Sequence, residues 1–213
     1  MERLVKAGAY AALAQALLYV VAFAVMASFQ PNDAASWTAA QKLSYTLAHG
    51  NLAHFWALLY YASGIALIVL TAGLHEQLHK QAPVLMPITT PFGYIWGGFL
   101  MASGMISQIG FATVTRLHAE NADQALTVWA TNKTMQDALG GGVELLGGVW
   151  VLLLSVVLFA NAERARALAA FGVIVGTAGV LTVVPSLDLM KAVFGLSQIV
   201  WFVWIGFWLL RRR

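Results

Sequence analysis

The chain has 213 residues, 60% of them hydrophobic and 10% charged, with a formal net charge of +3 and no cysteine. An ordinary soluble domain is about a quarter charged, so this composition excludes a water-soluble globule and places the chain in lipid. Without cysteine there can be no disulfides and no thiolate metal sites, and basic residues that only flank apolar runs exclude a nucleic-acid surface.

Apolar runs lie near 5–29, 51–74, 91–115, 139–160, 167–185 and 191–210. Each is close to the roughly 20 residues that a bilayer-spanning helix needs. They predict an all-α polytopic membrane protein, a bundle of six transmembrane helices forming one domain over 1–213. The first run follows Met1-Glu2-Arg3-Leu4-Val5-Lys6 as a secretory signal would, but it exceeds the 7–15 residues of a signal's apolar core and is read as a retained helix. If both termini are cytoplasmic, the inner face carries Arg3, Lys6, Lys80, Arg164, Arg166, Arg211, Arg212 and Arg213. The outer face then carries Lys42, Arg116, Lys133 and Lys191. The excess of lysine and arginine on the terminal side fixes that orientation, with the inner basic residues facing anionic headgroups of membrane lipids.

The two longest connections, about 30–50 and 116–138, both fall on the outer side in this topology. In the first, Trp37, Ala40, Leu43 and Leu47 recur at helical spacing behind Asp33 and Ser36, two possible N-caps, which predicts a short interfacial helix. The second offers Asn121 as a cap and Leu126, Trp129 and Ala130 as a weaker apolar stripe. Both read equally well as structural lids.

At the inner end of the second span, His75-Glu76-Gln77-Leu78-His79 spells the H-E-x-x-H pattern of zinc hydrolases, in which two histidines on one helix face share a metal and the glutamate activates its water. Lys80, Gln81 and the helix-stopping Pro83 follow, which puts the motif at headgroup level. A third ligand is needed there, and that side offers only Glu2 and Glu163. His49, His54 and His118 lie across the bilayer. A solvated helix end is the plainer account of the motif, and His75 and His79 remain the metal alternative.

The polar residues inside the spans point elsewhere. Glu144, in "LGGGVELLGGVW", lies about a turn inside the fourth span, where an ionisable group is costly unless it faces protein or water. Gly140, Gly141, Gly147, Gly148 and Ser155 share its helix face, so the carboxylate should face the bundle. The third span carries Gly93, Gly97 and Gly104 and then Ser107 and Gln108. The second contributes Asn51, His54 and Tyr61, the sixth Ser197 and Gln198, and Asp137 and Asp188 stand at helix mouths. Because alternate helices reverse direction, all of these fall in the outer half of the membrane. They predict a polar pocket open to the outside, built from Glu144, His54, Gln108, Gln198, Asn51 and Ser107. The tryptophans read as interface belts and packing.

The stretches "KAGAYAALAQALLYVVAF", "LHEQLHKQAPVLM" and "VFGLSQIVWFVWIGFWLLRRR" resemble, over nearly the whole chain, the bacterial six-helix membrane proteins grouped as domain of unknown function family 4386. The resemblance implies six helices in the bacterial inner membrane and carries no catalytic residues to transfer. "HEQLH" departs from the basic amphipathic end usual at that point in the family. The sequence therefore leads to a membrane protein that binds a small or lipophilic ligand in its outer pocket, as carrier, sensor or accessory subunit, with a membrane-protein partner as a further possible contact. A membrane-embedded metal-dependent hydrolase and a passive assembly partner are the alternatives. No pattern names a cofactor, and transport finds little support without evident broken-helix repeats.

The basic asymmetry makes a direct prediction. Reporters fused after residue 213 or within 81–88 should register as cytoplasmic, and one near 123 as external; external labelling of the C-terminus would reverse every assignment of side.

Overall fold

The computed structural model describes residues 2–141, 143–161 and 165–211. Gly142, Glu163, Arg164, Arg212 and Arg213, used in the sequence reading, lie outside the described residues. The described chain is all-α, without strands: α1 Glu2–Phe29, α2 Ala39–Ala48, α3 Gly50–Leu78, α4 Met86–Glu120, α5 Ala122–Gln136, α6 Leu145–Asn161, α7 Arg166–Leu181 and α8 Leu189–Arg211. Among the described residues, five stretches are long and apolar enough to cross a membrane: α1, α3, α4, the run Ala122–Ala160 that contains α6, and α8. The sixth expected span, α7, is apolar but has 16 residues. At 1.5 Å per residue it is about 24 Å long, less than the roughly 30 Å of hydrocarbon.

Six of these helices close into a ring. α1 packs on α3, α3 on α4, α4 on α6, α6 on α7, α7 on α8, and α8 returns to α1. The short connections between α3 and α4, α6 and α7, and α7 and α8 make these pairs antiparallel neighbours, as in up-down bundles. Small residues set how closely they approach. Between α6 and α7, a Cβ added to Gly148 would come within 2.5 Å of the Val180 nitrogen and 2.7 Å of the Gly176 carbonyl. Inside the ring sits an aromatic core. Trp96 and Trp150 are 5.8 Å apart, Trp150 and Trp201 5.7 Å, and Phe194 lies beside Trp96. Trp96, Trp150 and Trp201 are almost wholly buried, so these three form the core of the bundle and are not interface belts.

The connections expected on one side build a cap on one end of the ring. α4 has 35 residues, about 52 Å at 1.5 Å per residue, and outruns the bilayer core. α5 turns back along its far half. Leu43 from α2, Val114 and Leu117 from α4 and Ala125 from α5 form a second, smaller hydrophobic core, with Leu47, Leu126 and Trp129 against it. Asn121 caps α5 by accepting the Gln124 N–H at 3.0 Å, as its position predicted. The cap of α2 is Thr38, in a reciprocal capping box with Gln41, rather than Asp33 or Ser36. The capping box satisfies two end donors at once, whereas Asp33 precedes only a short 3-10 turn at Ala34–Ser36 and makes no side-chain cap. Ala40 and Ala130, placed on the apolar stripes, are exposed, and Ala125 takes the buried place on α5.

The expected fourth span begins later than its apolar pattern. Asp137–Gly141 forms a π turn with Gly140 at φ 117°, and α6 starts only at Leu145. A positive φ of this size favours glycine, which pays no Cβ penalty there.

Gly148→Ala should cost about 1–3 kcal/mol, since the new methyl meets backbone that cannot rotate away. Gly98, which would meet nothing within 4 Å, provides the control: Gly98→Ala should hold or raise the unfolding temperature. Thermal unfolding in detergent compares the two.

Candidate functional site

The polar residues singled out in the spans do share a level, near the cap end of the ring, but they face different directions. His54 is exposed, edge-on to Phe111 at 5.3 Å. Gln108 is exposed and accepts a hydrogen bond from the Tyr61 hydroxyl at 2.8 Å. Asn51 is exposed and lines a shallow recess with His49 and Phe55. Gln198 is wholly buried, and neither polar atom of its amide has a partner among the described residues. Ser197 donates back to the Phe194 carbonyl at 3.2 Å, and Asp188 pairs with Lys191 at 3.1 Å. His54 and Gln108 therefore do not converge with Glu144 and Gln198 on one cavity. A shared depth follows from helix direction, whereas convergence also needs the right rotation of each helix, and those of α3 and α4 turn His54 and Gln108 away.

Glu144 does point inward. Its Oε2 is buried with no hydrogen-bond partner among the described residues. Tyr19 on α1 and Tyr60 on α3 lie within electrostatic reach of its carboxylate, and Asp137 within reach of Tyr60. The residue stands at the start of α6, its carbonyl accepting the Gly148 N–H at 2.8 Å, where the helix dipole favours a negative charge. Its own N–H donates to Thr182 Oγ1 at 2.8 Å, and that hydroxyl donates on to the Gly179 carbonyl at 2.7 Å.

Tyr60 connects this group to open space. Beneath the cap runs a cleft of about 410 Å³ bounded by α1, α2, α3, α4 and α5, with Tyr60, Trp56, Ser107 and Lys133 among its walls. A second cleft of about 450 Å³ adjoins it toward α1 and α2. The two share Met26, Thr46, Ala53, Trp56 and Lys133 in their walls and so lie side by side. Each helix presents one face to them: Lys42, Tyr45, Thr46 and His49 on α2, Ala53, Trp56 and Tyr60 on α3, and Trp129, Asn132, Lys133 and Gln136 on α5. These sets have the i, i+3, i+4, i+7 spacing of a single helix face. Of the residues expected in the pocket, Ser107 alone lines this space. The spacing on α5 was present in the sequence, but its mixed polar character hides it from a search for apolar stripes.

The H-E-x-x-H segment sits at the opposite end of the ring. The imidazoles of His75 and His79 stack in parallel, 5.3 Å apart. His75 Nδ1 bonds Thr90 Oγ1 at 2.8 Å, and His79 Nδ1 bonds the carbonyls of His75 and Glu76 at 3.0 and 3.1 Å. Among the described residues no group of three or more histidine, aspartate or glutamate side chains is placed to hold a metal. The motif ties α3 to α4.

No curated protein and no solved structure matches the chain. The profile of the domain of unknown function DUF4386 matches residues 7–212, and the chain belongs to that family.

His75→Ala should leave the Thr90 hydroxyl, itself 7% exposed, without its partner and cost about 1–3 kcal/mol of stability. Glu76→Gln should change stability by less than about 0.5 kcal/mol. Thermal unfolding with parallel metal analysis checks both; stoichiometric zinc, lost on either His75→Ala or His79→Ala, would give the motif a metal role instead.

Proposed function

We propose that this member of the DUF4386 family is a six-crossing protein of the bacterial inner membrane, with both termini cytoplasmic, that binds a small lipophilic ligand in the cleft beneath its cap. The basic excess on the terminal side turns the cap outward, so the ligand enters from the outer face or from the outer leaflet. α7, short for a span, crosses with the help of the turn that follows it and of local bilayer thinning.

The carrying observation is the pair of adjoining clefts that share Met26, Ala53, Trp56 and Lys133 in their walls. Binding sites for small molecules are concave and mainly apolar, with a few placed polar groups. This space has aromatic and aliphatic walls, with Thr46, Ser107, Asn132, Lys133 and Gln136 among them. Its roof is the small cap core, which packs separately from the main bundle core and is therefore suited to open without unfolding the ring. The functional role that fits is a carrier, sensor or accessory subunit.

Wild-type protein purified in mild detergent should retain a lipophilic molecule detectable by native mass spectrometry. Ala53→Trp, which fills both clefts from the floor, and Thr46→Trp, which fills them from the roof, should each reduce that adduct to background while keeping the unfolding temperature near wild type. Equal adduct in folded wild type and both variants would overturn the reading.

A further inference from the structure

The cleft holds a charge asymmetry that identifies its ligand more closely, provided the ligand-binding reading above is right. Neither cleft has a carboxylate among its lining residues, yet Lys42 and Lys133 both line the larger one, with His49 beside them. Lys133 is paired with Asp137 at 3.1 Å. The Lys42 ammonium has no ion pair or side-chain hydrogen bond among the described residues, although the side chain is partly buried. Lysine is a strongly hydrated point charge, and an ammonium without a partner is the group on which an entering anion gains most.

The two lysines reach the space from different elements, Lys42 from α2 and Lys133 from α5, both parts of the cap. The walls are mainly apolar, with Met26, Ala53, Trp56, Ile106, Phe111 and Val114 among them, and Tyr60, Ser107 and Gln136 add polar groups between the helices. The wall beside Lys42 is braced by side-chain contacts. Tyr45 donates its hydroxyl to the Phe29 carbonyl, stacks on His49 at 4.0 Å and lies 5.4 Å from Trp37. His49 Nδ1 bonds the Tyr45 carbonyl at 2.9 Å, which leaves Nε2 as the free ring nitrogen. The space thus has two lysines contributed by the cap, an aromatic wall held by its own contacts, and a mainly apolar lining between the helices.

We infer that the cleft binds an anionic amphiphile, its phosphate or carboxylate head between Lys42 and Lys133 and its hydrocarbon chain running inward past Trp56. A charge-assisted contact at the lysines fixes orientation, and burial of the chain, at about 0.8 kcal/mol per methylene, supplies most of the affinity. A free anion of the same head chemistry would gain only the first of these.

The test uses the full-length protein in an uncharged maltoside detergent, with dodecyl phosphate, dodecanol and inorganic phosphate as probes and native mass spectrometry as the readout. Dodecyl phosphate should bind at least about tenfold tighter than dodecanol, a difference of about 1.4 kcal/mol, and far tighter than inorganic phosphate. Lys42→Gln and Lys133→Gln should each remove most of that preference while leaving dodecanol unchanged; Lys80→Gln, at the far end of the ring, should leave all three as in wild type. Because the Lys42 side chain makes no bond to lose, its replacement should preserve the fold, which the unfolding temperature verifies. If dodecanol binds as tightly as dodecyl phosphate, or if Lys42→Gln and Lys133→Gln leave the preference intact, the anionic assignment fails and the lipophilic cleft stands. If inorganic phosphate binds as tightly as dodecyl phosphate, the amphiphile is wrong. If neither chain-bearing probe binds, the ligand-binding reading falls with it.

Discussion

The architecture turns on a relay of two hydrogen bonds: the Glu144 N–H donates to Thr182 Oγ1, and the Thr182 hydroxyl donates to the Gly179 carbonyl. Backbone polar groups within a bilayer must find partners inside the protein, so irregular chain is tolerated there only where something else satisfies it. Thr182 supplies that at the start of α6. With Glu144 tied to α7, the chain between Gln136 and Leu145 can leave helical geometry, through a π turn and a left-handed Gly140, without stranding this amide in an apolar setting. The freedom gained is what lets α5 leave the line of α6 and run back along α4. Without that departure there would be no cap and no cleft beneath it.

Polar groups are therefore divided between two environments. Among the described residues, Gln15 and Gln198 are wholly buried in the bundle with no partner on either amide atom, and Thr71 and Ser103 are buried with unpaired hydroxyls. Leaving such groups unpaired is costly, yet Gln198 stands on the same α8 face as Phe194, Trp201 and Phe202, in the middle of the aromatic core. The cleft, by contrast, takes polar groups from the cap, Thr46, Asn132, Lys133 and Gln136 among them. Glu144 stands between the two environments: its carboxylate is inside the bundle, and Tyr60, within its electrostatic reach, faces the cleft.

The H-E-x-x-H segment illustrates how a motif's spacing can serve a different end. The i, i+4 spacing that would let two histidines share a zinc ion also lets their rings stack on one helix face. His75 is left to bond Thr90 across the α3–α4 turn, while His79 bonds carbonyls of its own helix. In the same part of the molecule, glycines bring α3 and α1 into contact, with Gly8 and Gly73 facing each other so closely that a Cβ on either would meet the other's Cα at under 3 Å. This end of the ring is built for close packing, and the cap end for enclosure.

The sequence by itself determined that the chain is helical and membrane-embedded, where its apolar helices lie to within a few residues, that Asn121 caps α5 and that Glu144 turns into the bundle. Those features follow from local rules: apolar length against bilayer thickness, capping chemistry, and the small residues Gly147, Gly148 and Ser155 that follow the carboxylate at helical spacing, whereas Gly140 and Gly141, read as part of the same face, lie in the π turn before α6. Only the tertiary structure decided which polar residues share a cavity. His54 and Gln108 lie at the expected depth, but depth is set by distance along a helix and orientation by its rotation, which depends on partners chosen elsewhere in the ring. The helices of the cap were legible as connections on one side, but their packing was not, for a related reason. α5 gains its apolar partners from α2 and α4, so its face of Trp129, Asn132, Lys133 and Gln136 acquires meaning only when a break at Gly140, permitted by a threonine 38 residues after Glu144, folds it back over Trp56.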